Sequence, residues 1–423
     1  MKRTLLLALV LAVLSGPLAA CSGGLFGSRK PVTLRFAYRA GSMQVEALLA
    51  EFHDQYPHIT VEPVVAQSEG GGLRQLVSEG RADLFRDGRE ALAYAQAGWI
   101  QPIGEAQLAE WSAIRSDYYA GAWSALAGGG QQWGIPAGLD PLVVYANAQE
   151  LRALGMGIPA VDQRWDAFGL LSLAVALDHP EGTPEHPGAP LYGFCTQPED
   201  WDPFVLIYRW GGALVDRLDD PQRATLTQRE TVEAVRWYTD LFTVHGVAPD
   251  PTAINREFPQ GGMAQAKSLG RCGVWLGLYS ERGGQGTPSR WAMEWAMLPL
   301  PRMGGDVTLA DVQGYYLAAG SEHPEEALLL ARFLSDRWSA AGRYLPPRQS
   351  LAADPAYGQA AQAGADVQSI VPRSALVSLP AELSPRLGAV GEAVIRVIYM
   401  GIQQGGDVEQ LLHRAQEQVQ RFF

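Results

Sequence analysis

The chain has 423 residues, 47% of them hydrophobic and 18% charged, which suits a folded globular protein and excludes a disordered one. Acidic side chains outnumber basic ones, 45 to 33, for a net charge of −12, so nucleic acid is not an expected partner. The length suffices for two large domains or three small ones.

At the N-terminus Lys2 and Arg3 precede an uncharged run, Leu5 to Leu18, which closes on Ala19 and Ala20. This is the layout of a signal peptide, expected over residues 1–20, and the apolar run is too short for a membrane-spanning helix. The string Leu18-Ala19-Ala20-Cys21 resembles a bacterial lipobox, which implies that Cys21 is acylated and anchors the chain to a membrane. The alternative is an ordinary signal peptide that ends beside a cysteine. On the lipobox reading, residues 21–31 form a lipidated tether rich in Gly and Ser. Cys195 and Cys272 remain, in a chain expected to be exported, where thiols tend to oxidise; they form either a disulfide or two buried thiols.

Val32, Leu34, Phe36 and Tyr38 alternate and predict a strand over 32–39. Val45, Leu48, Leu49, Phe52 and Tyr56 follow at helical spacing, Pro57 stops the helix, and "ITVEPVV" at 59–65 is a second strand. Strand, helix and strand within so short a stretch make a βαβ unit, hence parallel strands and a right-handed crossover. The alternation continues with "ADLF" at 82–85, a helix near 89–97 ended by Gly98, and a strand at 142–147. The fold class is α/β.

A second block opens with a helix at 165–177, a strand at 191–195 and a helix at 228–244 that starts with Thr227 and Glu230 in capping-box spacing. A strand over 272–278 follows. From 314 onward helices dominate: Pro324, Glu325 and Glu326 suit a helix start, and Ala327 to Trp338 continue it. Near the C-terminus Val408, Leu411, Leu412, Ala415, Val419 and Phe422 form one apolar stripe. Residues 181–190, rich in Gly and Pro, read as a surface loop.

The order of these landmarks resembles the sugar-binding class of ABC-transporter solute-binding proteins. The matching pieces are the opening strand and helix ending "YPHITVE", then "SEGRADLF", "YAQAGWIQPI", "GIPAGLDPLVVYAN", "WDPFVLIYRWGGALVD", "GVWLGLYS", "PLP" and "GYYLAAGSEHPEEALLLARFLS". The resemblance spans nearly the whole mature chain. It implies a two-lobe periplasmic-binding-protein-like fold with a hinge and an interlobe ligand cleft. Lobe one would comprise 32–141 plus 300–336, and lobe two 142–299 plus 337–423. Crossings would fall near Asp140 and Pro141, near Leu298 to Leu300, and near Ser335 to Ala341.

A sugar offers apolar C–H faces to aromatic rings and hydroxyls to Asp, Glu, Arg and Asn. From lobe two the resemblance implies Trp201, Trp275 and Tyr279 as ligand contacts, with Tyr315 reaching the cleft from the hinge side. Core packing is the alternative for each ring. From lobe one the loops after strands offer Arg39, Ser42, Arg86 and Asp87, whose alternative is a solvated loop charge. Asp140, before Pro141, either bonds ligand or fixes the hinge turn. A tryptophan stands in the family's maltose-binding member where Arg86 aligns, and a lysine where Ser42 aligns, which argues against a long maltodextrin.

The seven histidines show no metal-ligand spacing, and there is no nucleophile elbow, Walker loop or dinucleotide fingerprint in context, so neither metal nor cofactor is expected. Asp200 and Asp202 have the residue types of a glycosidase acid and base, a pairing that chance readily supplies in so acidic a chain. The resemblance implies an extracytoplasmic, lipid-anchored monomer that takes a carbohydrate and docks to permease subunits of an ABC transporter. A secreted carbohydrate-active enzyme, or a binder of a non-sugar or anionic solute, is the alternative.

Overall fold

The computed structural model describes residues 30–39, 41, 45–66, 71–160, 165–184, 186–218, 220–283, 288–360, 375–377 and 385–423. Cys21 and Ser42 lie outside them. Strand β1 (Val32–Arg39), helix α1 (Glu46–Gln55) and strand β2 (Ile59–Ala66) form the expected βαβ unit, with parallel pairing from Val32 opposite Ile59 to Arg39 opposite Ala66. The α1 face that carries Leu48, Leu49 and Phe52 is buried because those positions share one side of a 3.6-residue period. Helix α2 (Gly71–Ser78) leads to β3 (Leu84–Asp87), parallel to β1 on its other side. The helix expected at 89–97 is a 3-10 turn, Arg89–Leu92, running into one α-turn, Ala93–Gln96. Gly98, at φ 70°, ends it, as only a residue without Cβ does easily.

Strand β4 (Gly134–Asn147) is buried along all of its 14 residues. After it come α3 (Ala167–Ala176), β5 (Tyr192–Cys195), α4 (Asp202–Trp210), α5 (Arg229–Thr243), α6 (Gly262–Ser268), β6 (Cys272–Leu278), β7 (Trp295–Leu298) and β8 (Val307–Leu317). Helices α7 (Pro324–Ser335), α8 (Pro355–Ala360), α9 (Pro385–Gln404) and α10 (Val408–Val419) follow. Helix α5 starts at Arg229, and its N-cap is Gln228 without a side-chain bond, so the expected Thr227 capping box does not form. The Thr227 amide instead donates to Gln416 on α10 at 3.1 Å. The α10 stripe is buried as expected through Val419, whereas Phe422 is 60% exposed.

The strands follow one path, β2-β1-β3-β8-β4-β6-β5, with β7 also on β4. Strand β4 belongs to both halves of this path. Its residues up to Pro141 pair with β8, where Asp140 lies opposite Asp311 and Pro141 opposite Ala310; from Leu142 it pairs with β6 and from Val144 also with β7. The molecule is a two-lobe α/β fold, and β4 and β8 pass between the lobes side by side.

Two segments make contacts that bear on the expected lobe limits. Residues 300–306, expected in lobe one, are tied to α4: the buried Arg209 guanidinium donates to the carbonyls of Leu300 (3.2 Å) and Pro301 (2.6 Å) and pairs with Asp306 at 3.1 Å. Residues 340–348, expected in lobe two, contact β3, β4 and Asp117. Arg86 donates to Ala340 and Ala341, Leu345 and Leu139 exchange backbone bonds at 2.8 Å, and Arg348 pairs with Asp117 at 2.8 Å. Gly138 is required there: a Cβ would come within 2.9 Å of Tyr344 and 3.1 Å of the Arg86 guanidinium.

Candidate functional site

The carboxyl ends of β5 and β6 open into a cavity of about 420 Å3, the usual place for a ligand in an α/β sheet. The loop after β5 supplies Glu199, Asp200 and Trp201, and the start of α4 Asp202; α6 supplies Met263 and Lys267; the 3-10 turn after β6 supplies Glu281; Arg290, Trp291 and Leu142 also line it. A disulfide between Cys195 and Cys272 joins β5 to β6 at the base of this arrangement. Both sulfurs belong to wholly buried residues, and the cavity loop begins at the next residue after Cys195.

Asp202 is the first residue of α4, where a carboxylate suits the helix dipole. It accepts from the Thr196 hydroxyl at 2.7 Å, and that hydroxyl also meets the Tyr238 hydroxyl at 2.7 Å. Burial pushes the Asp202 carboxyl up to about 7 against the pull of Lys267, with Asp200 adding to the rise. Asp200, half-buried, is also raised by burial, with Lys267 opposing and Glu199 adding. Glu281 pairs with Arg290, whose guanidinium lies 5.3 Å from the Trp291 ring centre, and Glu199 accepts from the Tyr399 hydroxyl on α9. Lys267 Nζ reaches the Leu276 carbonyl at 3.5 Å. Trp291 is only 4% exposed, and its Nε1–H has no partner among the described residues.

A second cavity, about 340 Å3, lies in the first lobe and is lined by Arg39, Arg74, Glu90, Tyr94 and Trp99. Arg39 Nη2 pairs with Asp87 at 2.5 Å and with Glu90 at 3.1 Å. Asp87, wholly buried, also accepts from the Gly88 amide and the Tyr94 hydroxyl. Burial, with Asp87 adding, pushes the Glu90 carboxyl up to about 7.

The residues expected from the sequence therefore divide. Trp201 lines the first cavity and Arg39 the second, with Asp87 bonded to Arg39. Five others make core and hinge contacts and line neither cavity. Trp275 is wholly buried, stacked on Tyr145 at 5.7 Å with the Trp291 ring edge-on at 5.3 Å. The Tyr279 hydroxyl bonds that of Tyr357 at 2.5 Å, and Arg282 lies 4.1 Å over its ring. Tyr315 packs on Phe36 at 6.2 Å, and Arg86 spends its donors on the two carbonyls named above. Asp140 accepts from the Ser280 amide (2.7 Å) and hydroxyl (2.6 Å), tying the passage between lobes to the turn that carries Glu281. For Arg86, Asp140, Trp275 and Tyr315 the common cause is that their strands are covered on both faces, so a ring or charge on either face meets protein. Glu199, Lys267, Glu281, Arg290 and Trp291 were not anticipated. Glu281 was within reach of the rule that found Trp201, since it too follows a strand end, whereas Lys267 and Trp291 carry no local signal.

The sequence profile of the family described as bacterial extracellular solute-binding protein matches residues 40–337. An uncharacterized lipoprotein in the oleD 5′ region of Streptomyces antibioticus is 31% identical over 165 residues, 37% of this chain and 36% of that protein. The chain thus matches little more than a third of that relative's length. Among solved structures, the sugar-binding protein MalE from Xanthomonas citri is 18% identical, with coverage of 92% of this chain and 96% of that one and a TM-score of 0.67. An ABC substrate-binding protein from Listeria monocytogenes in complex with cycloalternan is 16% identical, with coverage of 93% and 99% and a TM-score of 0.63.

Proposed function

Because this chain belongs to the bacterial extracellular solute-binding proteins, we propose that it captures a carbohydrate between its lobes and delivers it to the permease subunits of an ABC importer. The observation that carries the reading is the cavity beyond β5 and β6. There carboxylates and a lysine stand beside two indoles, the mixture of hydroxyl partners and apolar cover that a sugar needs. Lobe one comprises 32–141 and 310–352, and lobe two 142–309 and 385–423. A ligand that touches both favours the closed arrangement by its differential affinity. The protein acts as a monomer held at the outer face of a membrane through acylated Cys21, and a Cys21→Ala variant leaves the membrane fraction when expressed in a bacterial host.

A thermal-shift panel of sugars tests the central claim. A true ligand at 100 times its dissociation constant stabilises the protein by about 2.7 kcal/mol. Trp201→Ala, which removes a half-buried ring from the cavity wall, weakens that ligand by about 2 kcal/mol while the unliganded midpoint stays near that of wild type. A panel in which no sugar raises the midpoint defeats the reading.

A further inference from the structure

The carboxylates of the second-lobe cavity differ in what they already hold. Glu281 has Arg290, Glu199 has the Tyr399 hydroxyl, and Asp202 has the Thr196 hydroxyl. Asp200 alone of the four makes no side-chain hydrogen bond or ion pair among the described residues, although it is half-buried. Lys267 forms no ion pair with any of them, and its one bond among the described residues goes to a backbone carbonyl. Four carboxylates thus face two cations, one of which is already paired. A half-enclosed carboxylate without a donor is costly unless something supplies one.

Other features of the cavity point to the same kind of occupant. Trp201 and Trp291 are among its lining residues, and the guanidinium of Arg290, 5.3 Å from the Trp291 ring centre, shows that this ring accepts a cation. The Trp291 Nε1–H, on a residue 96% buried, has no acceptor among the described residues and suits a partner such as a hydroxyl. An anion meets a poorer reception: Lys267 is the cavity cation without an ion-pair partner among the described residues, and it shares the cavity with four carboxylates. Arg39 is bonded to Asp87 and Glu90, Arg86 to two carbonyls, and Arg290 to Glu281.

Building on the carbohydrate reading, we infer that the solute is an amino sugar, with its ammonium on Asp200 beside the indoles and its hydroxyls meeting Lys267 and the Trp291 N–H. Asp200 is the residue that sets this preference. Glucosamine and glucuronate differ from glucose in charge while keeping its ring, which makes the three a direct comparison.

Calorimetric titration of the mature protein at neutral pH with glucose, glucosamine, glucuronate and choline tests this, in wild type and in Asp200→Asn. Glucosamine binds at least about tenfold more tightly than glucose, the scale of one charge-assisted hydrogen bond, and glucuronate binds most weakly. Asp200→Asn brings glucosamine and glucose to similar affinity without lowering the unliganded midpoint. If glucose binds as well as glucosamine in wild type, or if Asp200→Asn keeps the difference, the amino-sugar assignment is overturned and the carbohydrate reading survives. If choline alone binds and needs Asp200, the ammonium site stands and the carbohydrate reading fails. Binding of none of the four overturns the inference outright.

Discussion

Replacing Cys195 and Cys272 together by alanine removes the covalent tie between β5 and β6. The residues are 77 apart in sequence, and closing a loop of that length removes denatured-state entropy worth about 4.5 kcal/mol at room temperature. For a chain of this size the entropy of unfolding is roughly 0.8 to 0.9 kcal/mol per degree, so the melting midpoint falls by about 5 °C. Wild type and the double variant are compared by calorimetry and by urea unfolding, each with and without reductant. Reductant lowers the wild-type midpoint to that of the variant and leaves the variant unmoved. Sugar affinity falls as well, because the loop carrying Glu199 to Asp202 starts directly after Cys195. An unchanged midpoint in the double variant refutes the reasoning, as does labelling of both thiols when denatured, unreduced protein is alkylated.

Trp275→Ala removes a ring packed between Tyr145 and Trp291 and lowers stability by about 3 to 5 kcal/mol in urea unfolding; a near wild-type midpoint would return this ring to the list of ligand contacts. Arg86→Ala leaves the carbonyls of Ala340 and Ala341 without donors at a cost of about 1 to 3 kcal/mol, and changes affinity for neutral and acidic sugars alike; a selective loss of acidic ligands would contradict its place between lobe and hinge. Asp140 makes a pH signature. Burial raises its carboxyl from the ordinary 3.8 to about 7, so below 3.8 the folded and unfolded forms are both protonated. As pH rises from there the unfolded chain releases its proton first, and stability declines by up to about 1.4 kcal/mol per unit until the folded carboxyl ionises near 7. Asp140→Asn flattens that decline, leaving the shares of Asp202 and Glu90, and identical slopes in the two proteins would dismiss the buried carboxylate as its source.

How much of this was legible in the sequence depended on whether a residue's environment is local. The β1-α1-β2 unit and α7 follow from alternation, helical spacing and end signals, all set within a few turns of chain. The passage expected near Asp140 and Pro141 came from the resemblance; the structure shows β4 changing partner there, from β8 to β6. The pairing of Cys195 with Cys272 was one of two open readings, suggested by their like positions on two strands. Where the chain stays with a lobe through a distant clamp, spacing gave no warning: Arg209 is 91 residues from Leu300, and Arg86 is 254 from Ala340. Trp275 was expected at the cleft from the resemblance; its strand is buried on both faces, so what its ring meets is set by tertiary packing that no local spacing displays.

The shared strand β4 has a mechanical consequence. Since it crosses at Asp140 and Pro141 while still paired with β8, the lobes are welded along a hydrogen-bonded ladder at this passage. A change of angle between the lobes at this passage has to twist the paired residues near 139–142 and 310–312 together, as a torsion bar does. The same joint couples the fates of the two halves. A crack in either sheet runs into the strand that both use, so heating melts the lobes in one transition, and limited proteolysis finds no accessible peptide at the β4 junction to cut them apart.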